Sequence, residues 1–333
     1  GNRQHFIGAV TMTNYPSGFA DGISLRGIPI AQTHPGRAFW LGNGTTILPG
    51  NVGGSDGNTG TYQRPFATLE YALSKCSANV GDVIFIKPGH AESVTSATAL
   101  NFDVAGVAII GLGVGSNRPT FTFTTANTAT IPVTANNMAV SNVRFVGNFL
   151  SIASAFTVAA AADFTTENCY FGDTSAILGF LTAVTTTVTV NADNLYYGKN
   201  CRVSLATTTP GPDVVVAGTM TGLTVVDNVT FHTTISNNVA ALVEHGALVM
   251  TAATIARNQV YSVNTDTATG ALLVKTTAIT GSGVVADNYM RALDIAAAIV
   301  VTAAAVQYGE FNNLYTGDTN ASGFVLPAIA TDA

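Results

Sequence analysis

Charge is what this sequence has least of. Asp, Glu, Lys and Arg make up 10% of its 333 residues, against roughly a quarter in a typical soluble protein. The few charges are mixed, with 13 basic and 19 acidic residues and a formal net charge of −6, and no run of Lys or Arg occurs. That excludes nucleic acid as a partner, since binding it needs a track of phosphate contacts. Long apolar runs are also missing. The longest, Ile295 to Val306, is interrupted by Thr302 and falls far short of the roughly 20 residues that span a bilayer, so no membrane partner is expected. Cysteine is scarce. Cys76, Cys169 and Cys201 are odd in number and show no CxxC spacing, which argues against a disulfide framework and for buried free thiols. The opening Gly1-Asn2-Arg3-Gln4-His5 has no charged-then-apolar secretion pattern, and folding in a reducing cytoplasm is the expectation.

What is present is a repeat. An Asn followed three residues later by an aromatic recurs at Asn142/Phe145, Asn168/Phe171, Asn194/Tyr197, Asn228/Phe231, Asn258/Tyr261 and Asn312/Tyr315, and Asn288 is a further copy ending in Arg291. The steps between these asparagines are 26, 26, 34, 30, 30 and 24 residues. Recurrence at this period is the mark of a solenoid. Between the copies lie short β-rich runs such as Val107-Ala108-Ile109-Ile110, Phe121-Thr122-Phe123 and Val214-Val215-Val216, separated by Gly, Asn, Thr and Asp. About three short strands per coil, stacked at the inter-strand spacing of roughly 4.8 Å, make a parallel β-helix. The seven asparagines are expected to form one ladder at one corner, each amide donating to the next carbonyl. The aromatics three residues on are expected to stack inside.

Three regions follow. Residues 1–50 are rich in Gly and Pro, with sticky points at Phe6, Ile7, Phe39, Trp40 and Leu41, and read as an extended docking arm. Residues 51–103 hold a tight loop, a helix over residues 66–77 from the spacing of Phe66, Leu69, Leu73 and Cys76, and a buried strand from Asp82. Residues 104–333 carry the coils and a C-terminal tail.

The segment Gly54-Ser55-Asp56-Gly57-Asn58-Thr59-Gly60, then Arg64-Pro65-Phe66-Ala67-Thr68-Leu69, then Gly81-Asp82-Val83-Ile84-Phe85-Ile86-Lys87-Pro88-Gly89 resembles the N-terminal module of right-handed parallel β-helix proteins of the pectin-lyase-like class. The resemblance implies an all-β, right-handed parallel β-helix with a short N-terminal cap helix. It is close over residues 54–92 and loose over 104–326. The module occurs in polysaccharide-degrading enzymes, surface proteins and phage particle proteins, so it carries the fold more firmly than the function. With a sticky arm, low charge and a Thr/Ala/Asn-rich body, the chain looks most like a phage virion protein.

Candidate chemistry is sparse. The residues before the repeat asparagines include Glu167, Asp193 and Asp227. In register, such carboxylates would sit about one coil apart, roughly the 5 Å that suits a retaining glycosidase pair, or would hold a cation. The bland reading is a polar corner whose repulsion Arg257 relieves. A pectin-type lyase needs clustered Asp for calcium and a base, whereas Arg144, Lys199, Arg202, Arg257, Lys275 and Arg291 are scattered in sequence. The loop from Asp56 to Gly60 lacks the distal Glu of a calcium loop and reads as a turn. No HExxH, GxSxG or phosphate cradle occurs, and no cofactor or metal is expected.

The sequence therefore reads as a non-enzymatic structural protein of a phage particle: a capsid decoration or cement protein, made in the host cytoplasm and placed on the virion. Its expected partners are other virion proteins, the major capsid protein first, and further copies of itself. The alternative is a tail-associated polysaccharide depolymerase or receptor-binding protein on the same β-helix, with Glu167, Asp193 or Asp227 as acids.

Overall fold

A computed structural model of the chain describes residues 23–25, 28–30, 36–43, 51–159, 161–187, 192–205, 211–232, 241–246, 249–262, 272–276, 281–292, 300–301, 306–316 and 322–325. It is a parallel β-helix with three faces. The first sheet has 11 strands, running through Ala38–Leu41, Val83–Ile86, Ala108–Gly111, Ala139–Ser141, Thr165–Glu167, Tyr196–Gly198, Thr224–Val226, Met250–Ala256, Gly281–Ala286 and Val306–Phe311, with the short Met220–Thr221 pairing beside Met250–Ala256. The second has ten, from Ala91–Val94 through Thr120–Phe123, Arg144–Gly147, Tyr170–Asp173, Cys201–Ser204, Val229–His232, Gln259–Ser262 and Tyr289–Ala292 to Asn313–Thr316 and Ser322–Val325. The third has seven, from Ile131–Val133 to Val300–Val301, so seven successive coils place a strand on every face. Pairing is parallel along each sheet, except that the last strand of the second sheet runs back antiparallel. The expected all-β solenoid is what the chain forms.

Alternation within each strand explains the core. In Thr120–Phe123 and Arg144–Gly147 every second side chain points inward, giving buried Phe121, Phe123 and Phe145, as the two-residue period of a strand requires. Stacking in register then builds interior columns. One runs Phe121, Phe145, Phe171, Arg202, Thr230, Val260, Met290 down the second sheet. Phe145 and Phe171 stack with ring centroids 5.3 Å apart. Removing one such phenyl ring costs about 3–5 kcal/mol.

The N-terminal module closes one end. Its helix is Leu69–Ser74, shorter than the spacing suggests, with Thr68 as N-cap and Leu69, Ala72 and Leu73 buried. Asp56 is engaged by the loop's own backbone and by Thr68. Its Oδ1 accepts from the backbone N–H of Ala67 and Thr68 at 2.9 and 3.0 Å, and its Oδ2 from the Thr68 hydroxyl at 2.8 Å, so the loop fastens the start of the helix. Gly60, at φ +73°, has no room for a Cβ, which would meet the Phe66 ring at 2.4 Å.

The arm boundary is corrected. Ala38–Leu41 pairs in parallel with Val83–Ile86 and is the first strand of the solenoid itself. Phe39 and Leu41 are core residues, 8% and 0% exposed, and Trp40 packs between Tyr62 and Phe85. These three side chains serve this chain's own fold and are not free anchors. Ahead of them Ile23–Leu25 and Ile28–Ile30 form a small antiparallel hairpin. Phe6 and Ile7 lie outside the described residues.

Candidate functional site

Two corners recur along the solenoid with a left-handed residue. Leaving the first sheet, Asn142, Asn168, Lys199, Asp227, Arg257, Asp287 and Asn312 all adopt φ between 52° and 57°. Entering it, Gly81, Gly106, Asn137, Asp163, Asn194, Gly222 and Ala252 do the same, with φ from 56° to 83°. A left-handed residue costs about 1–2 kcal/mol unless it is Gly, or Asn or Asp, whose short side chains bond locally. That preference explains why Asn recurs, and why it recurs at more than one place.

The single ladder of seven asparagines is corrected accordingly. Asn142, Asn168 and Asn312 stand in the exit corner and Asn194 in the entry corner. Asn228, Asn258 and Asn288 stand one residue past the exit corner, with Asn200 and Asn313, and these five form the buried ladder. Asn228 N and Nδ2 donate to Oδ1 of Asn258 at 3.0 and 2.9 Å. Asn258 repeats the pattern onto Asn288 at 2.9 Å for both bonds, and Asn288 onto Asn313. Each amide also donates to a first-sheet carbonyl, as Asn258 does to Val225 O at 2.9 Å. The one-residue offset moves the aromatics to the other face. Phe145 and Phe171, counted from corner residues, point inward. Phe231 and Tyr261, counted from ladder residues, stack on the outside with centroids 5.0 Å apart, Phe231 being 36% exposed. Tyr197 is interior on the first sheet.

The three candidate acids do not form a set. Glu167 accepts a hydrogen bond from Lys199 Nζ at 2.6 Å. Asp227 receives Arg257 as a fork, Nε to Oδ1 at 2.8 Å and Nη2 to Oδ2 at 2.9 Å. These bonds hold the Asp227 carboxyl below its ordinary value, the reverse of what a general acid needs. Asp193 lies at the other corner, where its Oδ1 accepts from the Thr221 N–H at 2.7 Å. Among the described residues no three of His, Cys, Asp and Glu gather as metal ligands. The one-coil periodicity that was expected to stack acids instead stacks Lys199, Asp227, Arg257 and Asp287 along the corner with alternating sign, and Glu167, one residue before the corner, pairs with Lys199.

The structure does gather two cations that are scattered in sequence. Arg118 and Arg144, one coil apart, line a recess of about 340 Å³ with Gly115, Ser116 and Tyr170. Tyr170 and Arg144 are register neighbours on the outer face of the second sheet, and the Arg144 guanidinium lies 5.2 Å from the Tyr170 ring centroid. The ring folds back over Gly172, where a Cβ would meet it at 2.4 Å. Burial keeps the Tyr170 phenol above its ordinary pKa and therefore protonated. Arg118 Nη1 and Nη2 donate to the carbonyl and Oδ1 of Asn168 at 3.2 and 3.3 Å. Arg144 is in register with Thr120, two residues beyond Arg118, so no fixed step in the sequence pairs the two arginines.

A second polar cluster is sealed inside. Arg202 and Asp213 pair at 3.1 Å, with Tyr197 and Thr230 hydroxyls on Asp213. Asp173 accepts from Ser204 and from the backbone of Phe180 and Leu205.

No protein-family model matches the chain, and no curated protein matches it. Among solved structures, a rhamnogalacturonan lyase superposes with a TM-score of 0.47 at 14% sequence identity, over 78% of this chain and 70% of that one.

Proposed function

We propose that this protein is a non-catalytic structural solenoid of a phage particle, a capsid decoration or cement protein that docks through the segment ahead of residue 36. The observation that carries the non-catalytic half is the state of the candidate acids. Glu167 and Asp227 are each held by a cation one coil away, and Asp193 is tied to a backbone N–H at a different corner. The low-charge surface and the resemblance of the N-terminal module support the particle assignment. A second reading, receptor binding, draws on the exposed Phe231–Tyr261 stack.

The test uses the full chain. Phe6→Asp with Ile7→Asp should abolish co-sedimentation with purified particle shells while leaving the circular dichroism spectrum unchanged; undiminished binding refutes the arm. Wild-type protein should release no new sugar ends from bacterial surface polysaccharide. Release that disappears in Glu167→Gln or Asp227→Asn would replace this reading with the depolymerase.

A further inference from the structure

We propose that the recess between Arg118, Arg144 and Tyr170 is a binding site for a compact oxyanion, a carboxylate or phosphate group. The proposal is independent of where the protein is assembled.

Arg37, Lys199, Arg202, Arg257 and Lys275 each lie within salt-bridge distance of a carboxylate. Among the described residues Arg64, Lys75, Lys87, Arg118, Arg144 and Arg291 do not, and of these Arg118 and Arg144 line one recess together. Two like charges on neighbouring coils repel, and a chain with a net charge of −6 has acids to spare for relieving them. Here none is placed between the two.

The other ionisable groups felt at Tyr170 are Cys201 and Asp173. Burial raises the Cys201 thiol pKa and keeps it neutral. The Asp173 oxygens are occupied by the Phe180 and Leu205 N–H groups and the Ser204 hydroxyl. Among the described residues that line the recess there is no carboxylate.

Both guanidiniums are held in place before any ligand arrives. Asn168 grips two nitrogens of Arg118, while its buried Nε has no hydrogen-bond partner among the described residues. Arg144 lies against the Tyr170 ring, which Gly172 allows to fold flat. Arginine forks match the oxygens of carboxylates and phosphates. Fixing them in advance lowers the entropy lost on binding. Ser116 also lines the recess, and a serine hydroxyl is a neutral donor.

The experiment is a nuclear magnetic resonance titration of the full chain with inorganic phosphate and, separately, with acetate, at ionic strength held constant with sodium chloride. Saturable shifts with at least one anion are expected, and Arg144→Gln should weaken binding about tenfold or more, the loss of one charge-assisted contact. Arg257→Gln, at a different corner, should leave it unchanged. A response to phosphate alone points to a phosphorylated ligand, and one to acetate alone to an acidic side chain. In the wild-type chain the bound anion should also slow phenylglyoxal modification of Arg118 and Arg144 relative to Arg64. Absence of saturation with both anions, or equal affinity in Arg144→Gln, overturns the site.

Discussion

Arg202 and Asp213 form an ion pair inside the solenoid, Nη1 to Oδ1 at 3.1 Å, with side chains 2% and 0% exposed. Arg202 occupies the interior column immediately after three phenylalanines. Its position is bearable because its remaining donors reach the carbonyls of Gly211, Phe180 and Leu181. Burial pushes the Asp213 carboxyl up and Arg202 opposes it. A buried pair of this kind adds little over an apolar replacement, yet breaking it is costly. Arg202→Met alone should therefore lose about 3–5 kcal/mol. Arg202→Met combined with Asp213→Leu should recover a large part of that loss in chemical denaturation. Equal losses in the single and double variants would show that the pair is not the source.

His232 lies one coil beyond Ser204 in the same inward-facing column and is 2% exposed. Among the described residues neither ring nitrogen has a hydrogen-bond partner. Burial, and secondarily Arg202, lowers its pKa from 6.5 to about 3. The unfolded chain thus takes up a proton below pH 6.5 that the folded chain refuses until about pH 3, so this group's contribution to stability falls as pH drops through that window. Asp173 and Asp213, raised by burial, act in the opposite sense within the carboxylate range. The difference between wild type and His232→Leu isolates the histidine. The variant should match or exceed wild type at pH 7, since it removes an unbonded polar ring. Its melting temperature should fall less between pH 6.5 and 4.5. Parallel pH profiles for the two proteins would refute the assignment.

Much of the fold was legible because a β-helix writes its period into the sequence. Coil spacing, the cap helix and the strand from Val83 all follow from recurrence and alternation. The corners were harder. Asn suits both the left-handed exit position of Asn168 and the buried ladder position of Asn258 one residue later, so the Asn-x-x-aromatic pattern does not distinguish them. It also passed over Asn200 and Asn313, which stand in the ladder without the expected aromatic. The strand Ala38–Leu41 was lost among the surrounding glycines and prolines, because four residues cannot show whether their partner is this chain or another. The Arg118–Arg144 recess depends on which residues coil stacking makes neighbours, and composition does not encode that.

The serving side chains at Tyr170 and Tyr196 give a local test of the outer face. Each is followed two residues later by glycine, Gly172 and Gly198, at which a Cβ would meet the tyrosine ring at 2.4 Å. Residues two apart on a strand share a face, so the ring has folded down onto the space a side chain would fill. Gly172→Ala should displace Tyr170 and free the Arg144 guanidinium, at a cost of about 1–3 kcal/mol from overpacking. Tyr170→Phe should cost much less. Melting temperatures that rank the two variants the other way would show that the ring does not rest on Gly172.

The two kinds of asparagine should respond differently to the same substitution. The buried Asn258 side chain makes four hydrogen bonds of the ladder: it accepts from Asn228 N and Nδ2 and donates to Val225 O and Asn288 Oδ1. Asn258→Ala strands two donors of Asn228 and one carbonyl, each costing about 1–3 kcal/mol when buried without a partner. The expected loss is several kcal/mol, with lowered cooperativity if neighbouring coils decouple. Asn168 is a corner residue at φ 53° whose Nδ2 bonds Asn142 Oδ1 at 3.3 Å on the surface. Asn168→Gly keeps the backbone conformation open and should change stability by less than about 1 kcal/mol, whereas Asn168→Ala adds the left-handed penalty. Urea denaturation of the three variants is therefore expected to rank Asn258→Ala as most damaging, Asn168→Ala next and Asn168→Gly least. Equal losses at positions 168 and 258 would mean that the asparagines form one ladder after all.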